Sequence, residues 1–455
     1  MSNDNILILK DTKPSKKKPS PIGQELIYKS PAELKPYPGN ARIHDEKQIT
    51  ALMASISEFG FTGVIVTNEE AMVLAGHGRL EAAKRLGLER VPTRIAAGLT
   101  KAQQRAYVLA DNKTSQMSKW DGNQLKTEIE MLVQEEFNVE VTGFSTAEID
   151  IMLDTSPETE PDDPDNLQPE DVSPIPVTKP GDLFVLGNHR LICGSALDQS
   201  AFKSLMTSEM AEMVITDPPY NVKIDGNVCG SGDTKHAEFA MASGEMDEEE
   251  FTEFLNKSFK LMREFSQDGS IIYSFMDWRH QREIINAARP VLGPLRQLCI
   301  WVKDNGGMGS FYRSQHELVY VFKNGDAPHI NNFELGQHGR YRTNIWNYPG
   351  VNTFKGKGYE LLKLHPTVKP VGLIADAIRD CSHRKGLILD PFAGSGTILI
   401  AAERTSRYAR AIELEPKYVD VGIRRWERIT GKSAIHEATG LTFQELSEQR
   451  TSGKE

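Results

Sequence analysis

Cysteines are few in this sequence, and long apolar runs are missing from it. The four cysteines, Cys193, Cys229, Cys299 and Cys381, lie far apart without a C-x-x-C pair, which argues against a zinc cluster or a disulfide framework. No apolar stretch approaches the roughly 20 residues needed to cross a bilayer. The lysine-rich first segment does not lead into the apolar segment of a signal peptide. We therefore expect a cytoplasmic protein with no membrane association and no bound metal.

An excess of positive charge, which many nucleic-acid-binding domains have, is also missing, because the net charge of the 455 residues is −10. Residues 151–171, however, carry eight acidic and no basic side chains, so the rest of the chain has a net charge of only −2. The overall charge consequently neither indicates nor excludes a nucleic-acid partner. No internal repeat is visible at periods of roughly 20–50 residues.

The length of 455 residues favours two or three domains. A proline-rich acidic stretch separates a shorter region from a longer one. Such a stretch cannot bury enough apolar surface to fold, so we interpret it as a linker. The predicted segments are a disordered basic tail (1–22), a small α/β domain (23–115), a helical extension (116–155), the linker (156–178), a larger domain (179–435) and a tail (436–455).

The larger domain alternates apolar runs with helical segments. This alternation predicts an α/β fold with a mainly parallel sheet covered by helices, and ligands bind in such folds at the carboxyl ends of the strands. The smaller domain has a helical pattern over 46–59 and a glycine-containing loop before a second helix. The predicted strands of the larger domain are 213–216, 271–275, 299–302, 318–322, 387–389 and 409–412.

The tetrapeptide Asp217-Pro218-Pro219-Tyr220 directly follows the predicted strand 213–216. Each proline fixes its own backbone and restricts the residue before it, so the carbonyl oxygens of this loop point in fixed directions. The Asp217 carboxylate and such a carbonyl can accept both hydrogens of an aromatic amine and localise its lone pair for attack. Tyr220 can stack on the base. An ordinary turn between a strand and a helix is the competing interpretation of the tetrapeptide alone.

A glycine-rich loop, residues 390–397, follows another predicted strand and precedes a helix. Gly394 and Gly396 let a ligand approach the backbone, and the start of the helix offers unpaired N–H groups. A dinucleotide fingerprint would need glycine or alanine at position 399, where Leu399 stands. Glu413 ends the next predicted strand, where a carboxylate can bind ribose hydroxyls. A plain surface acid is the competing interpretation of Glu413.

Together, these motifs resemble the beta-type amino-methyltransferases of DNA, which methylate adenine N6 or cytosine N4. Members of that family carry D-P-P-Y ahead of F-x-G-x-G, and an H-P-T-x-K-P segment just before the latter, which is residues 365–370 here. The resemblance spans roughly 180–430 and implies a Rossmann-like domain that uses S-adenosylmethionine and double-stranded DNA. It implies that the catalytic residues are Asp217, Pro218, Pro219 and Tyr220. It also implies cofactor contacts by Asp217, Thr367, Lys369, Asp390, Phe392, Gly394, Ser395, Gly396, Thr397 and Glu413, and by Ser195 where many relatives have an aspartate.

The sequence contains no Pro-Cys dipeptide, and this absence restricts which atom of the base can receive the methyl group. Methylation of the cytosine ring carbon needs such a cysteine nucleophile, so an exocyclic amine is favoured. Relatives that act on the cytosine amine more often have serine where Asp217 stands, and methylation of protein or RNA amides would more naturally begin the tetrapeptide with asparagine. Adenine N6 in a specific DNA sequence is therefore the first hypothesis, with base flipping and direct in-line transfer. Cytosine N4 is the alternative.

Residues 336–363 interleave basic and aromatic side chains, with Glu360 as the only acid. Cations suit phosphates and rings suit bases, so we predict a target-recognition segment. A solvated face over buried aromatic rings is the competing interpretation. The predicted DNA contacts are Arg340, Arg342, Lys355 and Lys357.

The small domain resembles the ParB-like, nuclease-type superfamily, whose G-x-x-R signature is Gly76-His77-Gly78-Arg79 here. Backbone donors ahead of a helix suit a phosphate of a nucleotide or of DNA, and we predict phosphate contacts by Gly76, Gly78 and Arg79. A non-enzymatic partition or DNA-bridging protein is the alternative for the whole chain. The sequence leaves open a homodimer and a restriction partner.

Overall fold

The structure is a computed structural model that describes residues 26–153, 171, 173, 175–222, 244–304, 306, 311–333, 336, 341–350 and 368–452. The predicted basic tail and most of the predicted linker lie outside these residues. Internal contacts divide the chain into two compact units, Met1–Ser145 and Thr146–Glu455. The predicted helical extension, 116–155, is therefore split between the two units.

The amino-terminal unit contains, as far as it is described, a four-stranded sheet and four α-helices. Its elements are β1 (Ile27–Lys29), α1 (Glu46–Phe59), β2 (Ile65–Thr67), β3 (Val73–Ala75), α2 (His77–Arg85), β4 (Val91–Ile95), α3 (Lys101–Ser115) and α4 (Gly122–Gln134). The strand order is β1-β4-β2-β3, with β2 and β4 parallel. The predicted helix over 46–59 is confirmed as α1. It begins where the Asp45 side chain accepts a hydrogen bond from the Gln48 N–H, and it ends before Gly60, whose φ is +74°.

The second unit carries, among the described residues, a ten-stranded sheet with helices on both faces. Successive side chains of a strand point to opposite faces, so Met213 and Ile215 enter one buried apolar cluster and Val214 enters the other. The strands are β5 (Leu183–Leu186), β6 (His189–Cys193), β7 (Ala211–Thr216), β8 (Ser266–Met276), β9 (Gln297–Val302), β10 (His316–Lys323), β11 (Ile345–Asn347), β12 (Leu387–Asp390), β13 (Tyr408–Glu413) and β14 (Ile435–His436). The helices are α5 (Thr146–Leu153), α6 (Gln199–Met206), α7 (Glu248–Glu264), α8 (Gln281–Leu292), α9 (Val371–Asp380), α10 (Thr397–Thr405), α11 (Pro416–Thr430) and α12 (Phe443–Thr451). In the part of the chain that the structure describes, no helix has the length and apolar character needed to span a bilayer.

The strand order of this sheet is β11-β9-β10-β8-β7-β12-β13-β6-β5-β14. Every strand predicted for this region is confirmed, as β7, β8, β9, β10, β12 and β13. The central strands from β8 to β6 run parallel, whereas β10, β5 and β14 are antiparallel to their neighbours. The sheet is thus mixed where a mainly parallel one is predicted, because β10 and the β5–β6 hairpin reverse direction beside the parallel centre.

The sequence suggests only a tail beyond residue 435, but the structure builds this segment into the sheet and the core. The two-residue strand β14 pairs with β5, and Phe443 and Leu446 of α12 are buried in the main apolar cluster. Arg450 donates to both Asp182 oxygens, at 2.5 and 3.1 Å. A strand of two residues has no periodicity, which is why the pattern does not predict it.

The helix α5 packs with the second unit through a buried ion-pair cluster. Asp150 accepts hydrogen bonds from Arg407 at 2.8 Å and from Arg384 at 2.9 Å, and Arg407 is fully buried. Removing one partner of a buried ion pair costs about 3–5 kcal/mol. This cluster explains why α5 belongs to the second unit, whereas the first part of the predicted extension, 116–145, belongs to the first unit.

Candidate active site

The two loops that carry the sequence motifs meet at one edge of the larger sheet. β7 and β12 are parallel neighbours, with Met213 opposite Ile388, so the chain leaves both strands at the same edge. There the Thr216 hydroxyl donates to the Asp390 carboxylate at 2.8 Å. Both loops open into one cavity of about 190 Å³. Its lining includes Gly194, Ser195, residues 215–220, Phe275, Lys369, residues 390–395, Thr397 and Glu413.

Asp217 belongs to a partly buried network of charged side chains. Its Oδ2 accepts from the Lys369 ammonium at 2.6 Å, and its Oδ1 accepts from the Tyr220 hydroxyl at 2.7 Å. Both donors also lie 3.2 Å from Oε2 of Glu317. The other oxygen of Glu317 pairs with the Lys303 ammonium at 2.5 Å. Two carboxylates and two ammonium groups therefore balance each other's charge.

Glu317 and Lys303 reach this network because β9 and β10 form an antiparallel hairpin beside β8. β10 begins at the edge where β7 and β8 end, with Leu318 opposite Met276, and β9 ends at that edge as the partner of β10. The sequence alone does not predict either residue. The available signal is a charged residue next to an apolar run, Lys303 after one run and Glu317 before another. That signal does not identify the strand these residues face.

Burial and neighbouring charges set the proton affinity of each group in the network. Burial raises the pKa of the Asp217 carboxyl, and the negative charge of Glu317 adds to this effect while Lys369 opposes it. Burial acts in the same direction on Glu317, but Lys369 and Lys303 hold its pKa at about 2. Burial and the two carboxylates place the pKa of Tyr220 well above its ordinary value. Tyr220 is therefore a neutral donor beside the Lys369 cation, whose pKa the two carboxylates raise despite burial.

The glycine-rich side of the cavity holds two buried carboxylates with different partners. Asp390 accepts hydrogen bonds from the Phe392 N–H, at 3.0 Å, and from the Thr216 hydroxyl. Glu413 accepts the N–H groups of Gly394 and Glu415, each at 2.8 Å. These donors are neutral, and burial raises the pKa of both carboxyls to about 7. A cation in the cavity would favour their ionised forms.

Comparison with protein families identifies the parts of the chain. Residues 211–424 match the DNA methylase family of N6 and N4 methyltransferases, and residues 23–113 match the ParB N-terminal domain. Residues 211–424 are therefore a DNA methylase domain of the N6/N4 class. Both resemblances drawn from the sequence are thereby confirmed, as is the combination of a Rossmann-like methyltransferase domain with a small ParB-like α/β domain. The match of residues 123–180 to a ParB-methyltransferase HTH domain is not predicted by the sequence motifs.

Curated relatives of this methylase are matched over most of their own length. Type II methyltransferase M2.MboI of Moraxella bovis is 25% identical over 255 residues, which are 53% of this chain and 89% of the relative. Type II methyltransferase M.HpaI of Haemophilus parainfluenzae is 25% identical over 281 residues, 57% of this chain and 82% of the relative. The ParB-like nuclease domain-containing protein YnaK of Escherichia coli strain K12 is 39% identical over 79 residues, 17% of this chain and 91% of the relative. These similarities support the same assignment.

N6/N4 DNA methylases use S-adenosylmethionine, and the residues of the cavity fit that molecule. Asp390 and Glu413 are buried carboxylates held by neutral donors, so a cofactor with sulfonium and ammonium groups would compensate their charge. Phe392 and Leu414 give the cavity apolar walls that suit an adenine ring. Ser195 also lines the cavity, and its hydroxyl accepts the N–H of Leu197 at 3.2 Å.

Two residues of the glycine-rich loop serve the fold of the methylase. A Cβ on Gly396 would lie 2.7 Å from the Gly422 Cα, and the φ of Gly396 is +77°, so glycine at this position lets α10 and α11 touch. Buried Arg425 donates to the carbonyl and the hydroxyl of Ser395, at 2.6 and 3.0 Å. Gly396 thus has a packing role of its own, and the cofactor contact that the resemblance implies for it stays a prediction.

The predicted cofactor contacts on the H-P-T-x-K-P segment have different outcomes. Thr367 lies outside the described residues. Lys369 directs its ammonium to Asp217 and Glu317, while its backbone carbonyl accepts the Thr397 hydroxyl at 3.5 Å. Lys369 therefore lies beside Asp217, the predicted catalytic residue; the part of the cavity that holds Asp217, Glu317 and Lys369 is called the catalytic side below.

The predicted DNA contacts of residues 336–363 are mostly outside the described residues: Arg340, Lys355 and Lys357. Arg342 is described, and it donates to Asp380 at 3.1 Å and contacts Asp376 at 3.4 Å. Only about a sixth of its side chain is exposed, 17%. These ion pairs hold Arg342 to α9 and give it a structural role, while the DNA contact by Arg342 stays a prediction.

The predicted phosphate loop of the ParB-like domain opens α2. Gly76 has a φ of +93° and turns the chain from β3 into the helix. Gly78 lies in close contact with α1, since a Cβ there would lie 2.9 Å from the end of the Leu52 side chain, which would have to shift. Arg79 donates to the Val64 carbonyl at 3.1 Å. The fold therefore gives a reason for glycine at both positions that does not depend on a bound phosphate.

Proposed function

We propose that this methylase transfers a methyl group to the N6 amine of adenine within a specific DNA sequence, in the cytoplasm. The base would leave the duplex and react directly, without a covalent bond to the protein. The observation that carries the proposal is the meeting of the Asp217 loop and the glycine-rich loop in one cavity. This arrangement puts an acceptor for the amine hydrogens beside the residues suited to the methyl donor.

Asp217 would prepare the amine for reaction. Its carboxylate and a carbonyl oxygen held by Pro218 and Pro219 accept the two amine hydrogens, which localises the nitrogen lone pair. Tyr220 offers a ring for stacking, which offsets part of the roughly few kcal/mol that flipping the base costs. When bound, S-adenosylmethionine supplies an electrophilic methyl group. Adenine N6 gains this methyl group and releases one proton, and the raised pKa of Asp217 makes its carboxylate a suitable acceptor.

The cofactor is assigned to the glycine-rich side of the cavity. Glu413 is the proposed partner of the ribose hydroxyls, and Asp390 is the proposed counter-charge of the cationic end. Phe392, Gly394 and Ser195 line the cavity between them and complete the proposed contacts. In the ParB-like domain, Gly76, Gly78 and Arg79 remain the proposed contact for a phosphate of a nucleotide or of DNA at the start of α2.

Two observations support adenine over cytosine. Asp217 opens the tetrapeptide where relatives that methylate the cytosine amine more often have serine. A relative named DNA adenine methyltransferase YhdJ, of Escherichia coli strain K12, is 32% identical over 121 residues, 27% of this chain and 37% of the relative. Both observations favour the same amine.

Transfer of labelled methyl from S-adenosylmethionine to unmethylated genomic DNA, followed by nucleoside analysis, tests the proposal. We expect the label in N6-methyladenine. Label in N4-methylcytosine would keep the methylase class but overturn the adenine assignment, and DNA without label in either base would overturn the proposed function. The Asp217→Ala protein, purified in the same way, supplies the background.

A further inference from the structure

Both oxygens of Asp217 are engaged by donors of the protein itself. The Lys369 ammonium lies 2.6 Å from Oδ2, and the Tyr220 hydroxyl lies 2.7 Å from Oδ1. The proposed reaction requires the same carboxylate to accept an amine hydrogen of the target base. At least one of these two donors must therefore find another acceptor when the base enters.

Glu317 is the acceptor within reach of both donors. Its Oε2 lies 3.2 Å from the Lys369 ammonium and 3.2 Å from the Tyr220 hydroxyl. Its Oε1 is held by Lys303 at 2.5 Å, so the carboxylate has a fixed position. The Glu317 side chain is 19% exposed, which leaves little water to serve the donors in its place.

We propose that Glu317 is a positioning residue for Asp217: it takes over the Tyr220 hydroxyl and the Lys369 ammonium when the target amine enters, and so releases Asp217 for the base. This inference rests on the proposed function. The exchange moves hydrogen bonds between two carboxylates of one network. Lys369 stays paired with a carboxylate throughout, so the exchange avoids the cost of an unpaired buried charge.

The charges around Glu317 predict how its removal changes the pH profile. The groups that face it are Lys303 from β9, Lys369 ahead of α9, and Tyr220 and Asp217 after β7. The negative charge of Glu317 raises the pKa of Asp217. Without that charge Asp217 would ionise more readily, and the loss of activity on the acid side would move to lower pH.

The neighbouring Asp390 also titrates, with a pKa of about 7 because of its burial. The charges that act on it come from Asp217 and Lys369, so neutralising Glu317 affects it only indirectly. The acid limb of the pH–activity profile is the pH range in which activity is lost on acidification. A shift of this limb in a Glu317 variant therefore reports on Asp217.

Three variants of the full-length protein separate a positioning role from a structural one. Glu317→Gln keeps the shape of the side chain and removes its charge. Lys303→Met removes the cation that fixes Glu317. The matched control is Glu212→Gln, at the opposite end of β7, where the carboxylate accepts the His383 N–H at 3.0 Å. For each variant we would measure methyl transfer to unmethylated DNA over about pH 5–9, S-adenosylmethionine affinity and the melting temperature.

We expect Glu317→Gln to lower kcat about tenfold to a hundredfold, as loss of the groups that orient a reactive residue often does. Its cofactor affinity should stay within about twofold of the wild type, because its contacts lie on the catalytic side. Its acid limb should move to lower pH, whereas Lys303→Met should move that limb to higher pH, since removing a cation raises the pKa of nearby carboxyls. Glu212→Gln should lower the melting temperature and leave kcat and the pH profile unchanged.

A Glu317→Gln protein with the wild-type kcat and pH profile would overturn the inference and leave the proposed function standing. A lower kcat accompanied by an unshifted acid limb and a lower melting temperature would overturn it as well, because structural support would then explain the loss. No transfer by the wild-type protein would overturn the proposed function and this inference with it.

Discussion

The two sides of the cavity neutralise their buried carboxylates in different ways. On the catalytic side, Asp217 and Glu317 share two lysine cations. On the glycine-rich side, Asp390 and Glu413 are held by hydroxyl and N–H donors, which carry no charge. The first side is electrostatically balanced by the protein, and the second would be balanced by a cationic cofactor.

This difference follows from the cost of burying charge. Lysines hold the pKa of Glu317 at about 2 and so keep it ionised, although it is largely removed from solvent. Neutral donors leave Asp390 and Glu413 with pKa values of about 7. Under the proposed function, one side would hold its charges in place for the reaction, and the other would gain or lose protons when its ligand binds.

The strongest expected effect comes from Asp217→Ala, which removes the proposed amine acceptor. We expect methyl transfer to fall about a hundredfold to a thousandfold or more, by analogy with removal of one preorganised group at a reacting centre. Folding should survive, because Lys369 keeps its ion pair with Glu317. Single-turnover transfer and thermal melting would measure both effects.

Cofactor binding is the control for this variant, and it should be nearly unchanged if the two sides act independently. Normal turnover would show that Asp217 is not the catalytic centre. A large loss of cofactor affinity would contradict the separation of the two sides.

The glycine-rich side can be disturbed by Gly396→Ala without changing any charge. We expect a loss of about 2–4 kcal/mol in the free energy of unfolding, because the new Cβ strains a positive φ and presses on Gly422. Urea unfolding would measure it. The matched control is Gly440→Ala, whose φ is +73° with open space around it, and which should cost only about 1–2 kcal/mol.

Equal losses in Gly396→Ala and Gly440→Ala would contradict the packing role of Gly396. A variant that kept its stability but lost cofactor affinity would instead favour Gly396 as a direct cofactor contact.

The smallest expected effect concerns the pH dependence of S-adenosylmethionine binding. Because a cation favours ionised carboxylates, binding should release protons from Asp390 and Glu413, and the affinity should rise with pH between about 6 and 7, by up to about tenfold per pH unit for each proton released. Calorimetry in two buffers of different ionisation enthalpy would count these protons.

Asp390→Asn should reduce this pH dependence to the part that Glu413 contributes, and Glu317→Gln should leave it unchanged, since Glu317 belongs to the side balanced by lysines. An affinity that did not vary with pH would show that the carboxylates of the glycine-rich side are ionised in the free protein, and the contrast between the two sides would fail.

Local patterns in the sequence predict a large part of this fold and site. Asp217 and Asp390 each follow an apolar run that forms a strand, β7 and β12, and both motif loops line the same cavity. The role of Arg342 is not predictable in this way, because a basic residue among aromatic rings suits DNA and an internal ion pair equally well. Its partners Asp376 and Asp380 lie on a separate helix.

The sequence by itself determined which loops form the candidate site, since strand periodicity, proline stiffness and glycine freedom are properties of neighbouring residues. Only the tertiary structure decided that Glu317 and Lys303 would stand beside Asp217. Their position depends on the antiparallel return of β10 next to β8, and strand neighbours are chosen by the packing of the whole sheet. The same packing decided that one side of the cavity is balanced by lysines and the other by neutral donors.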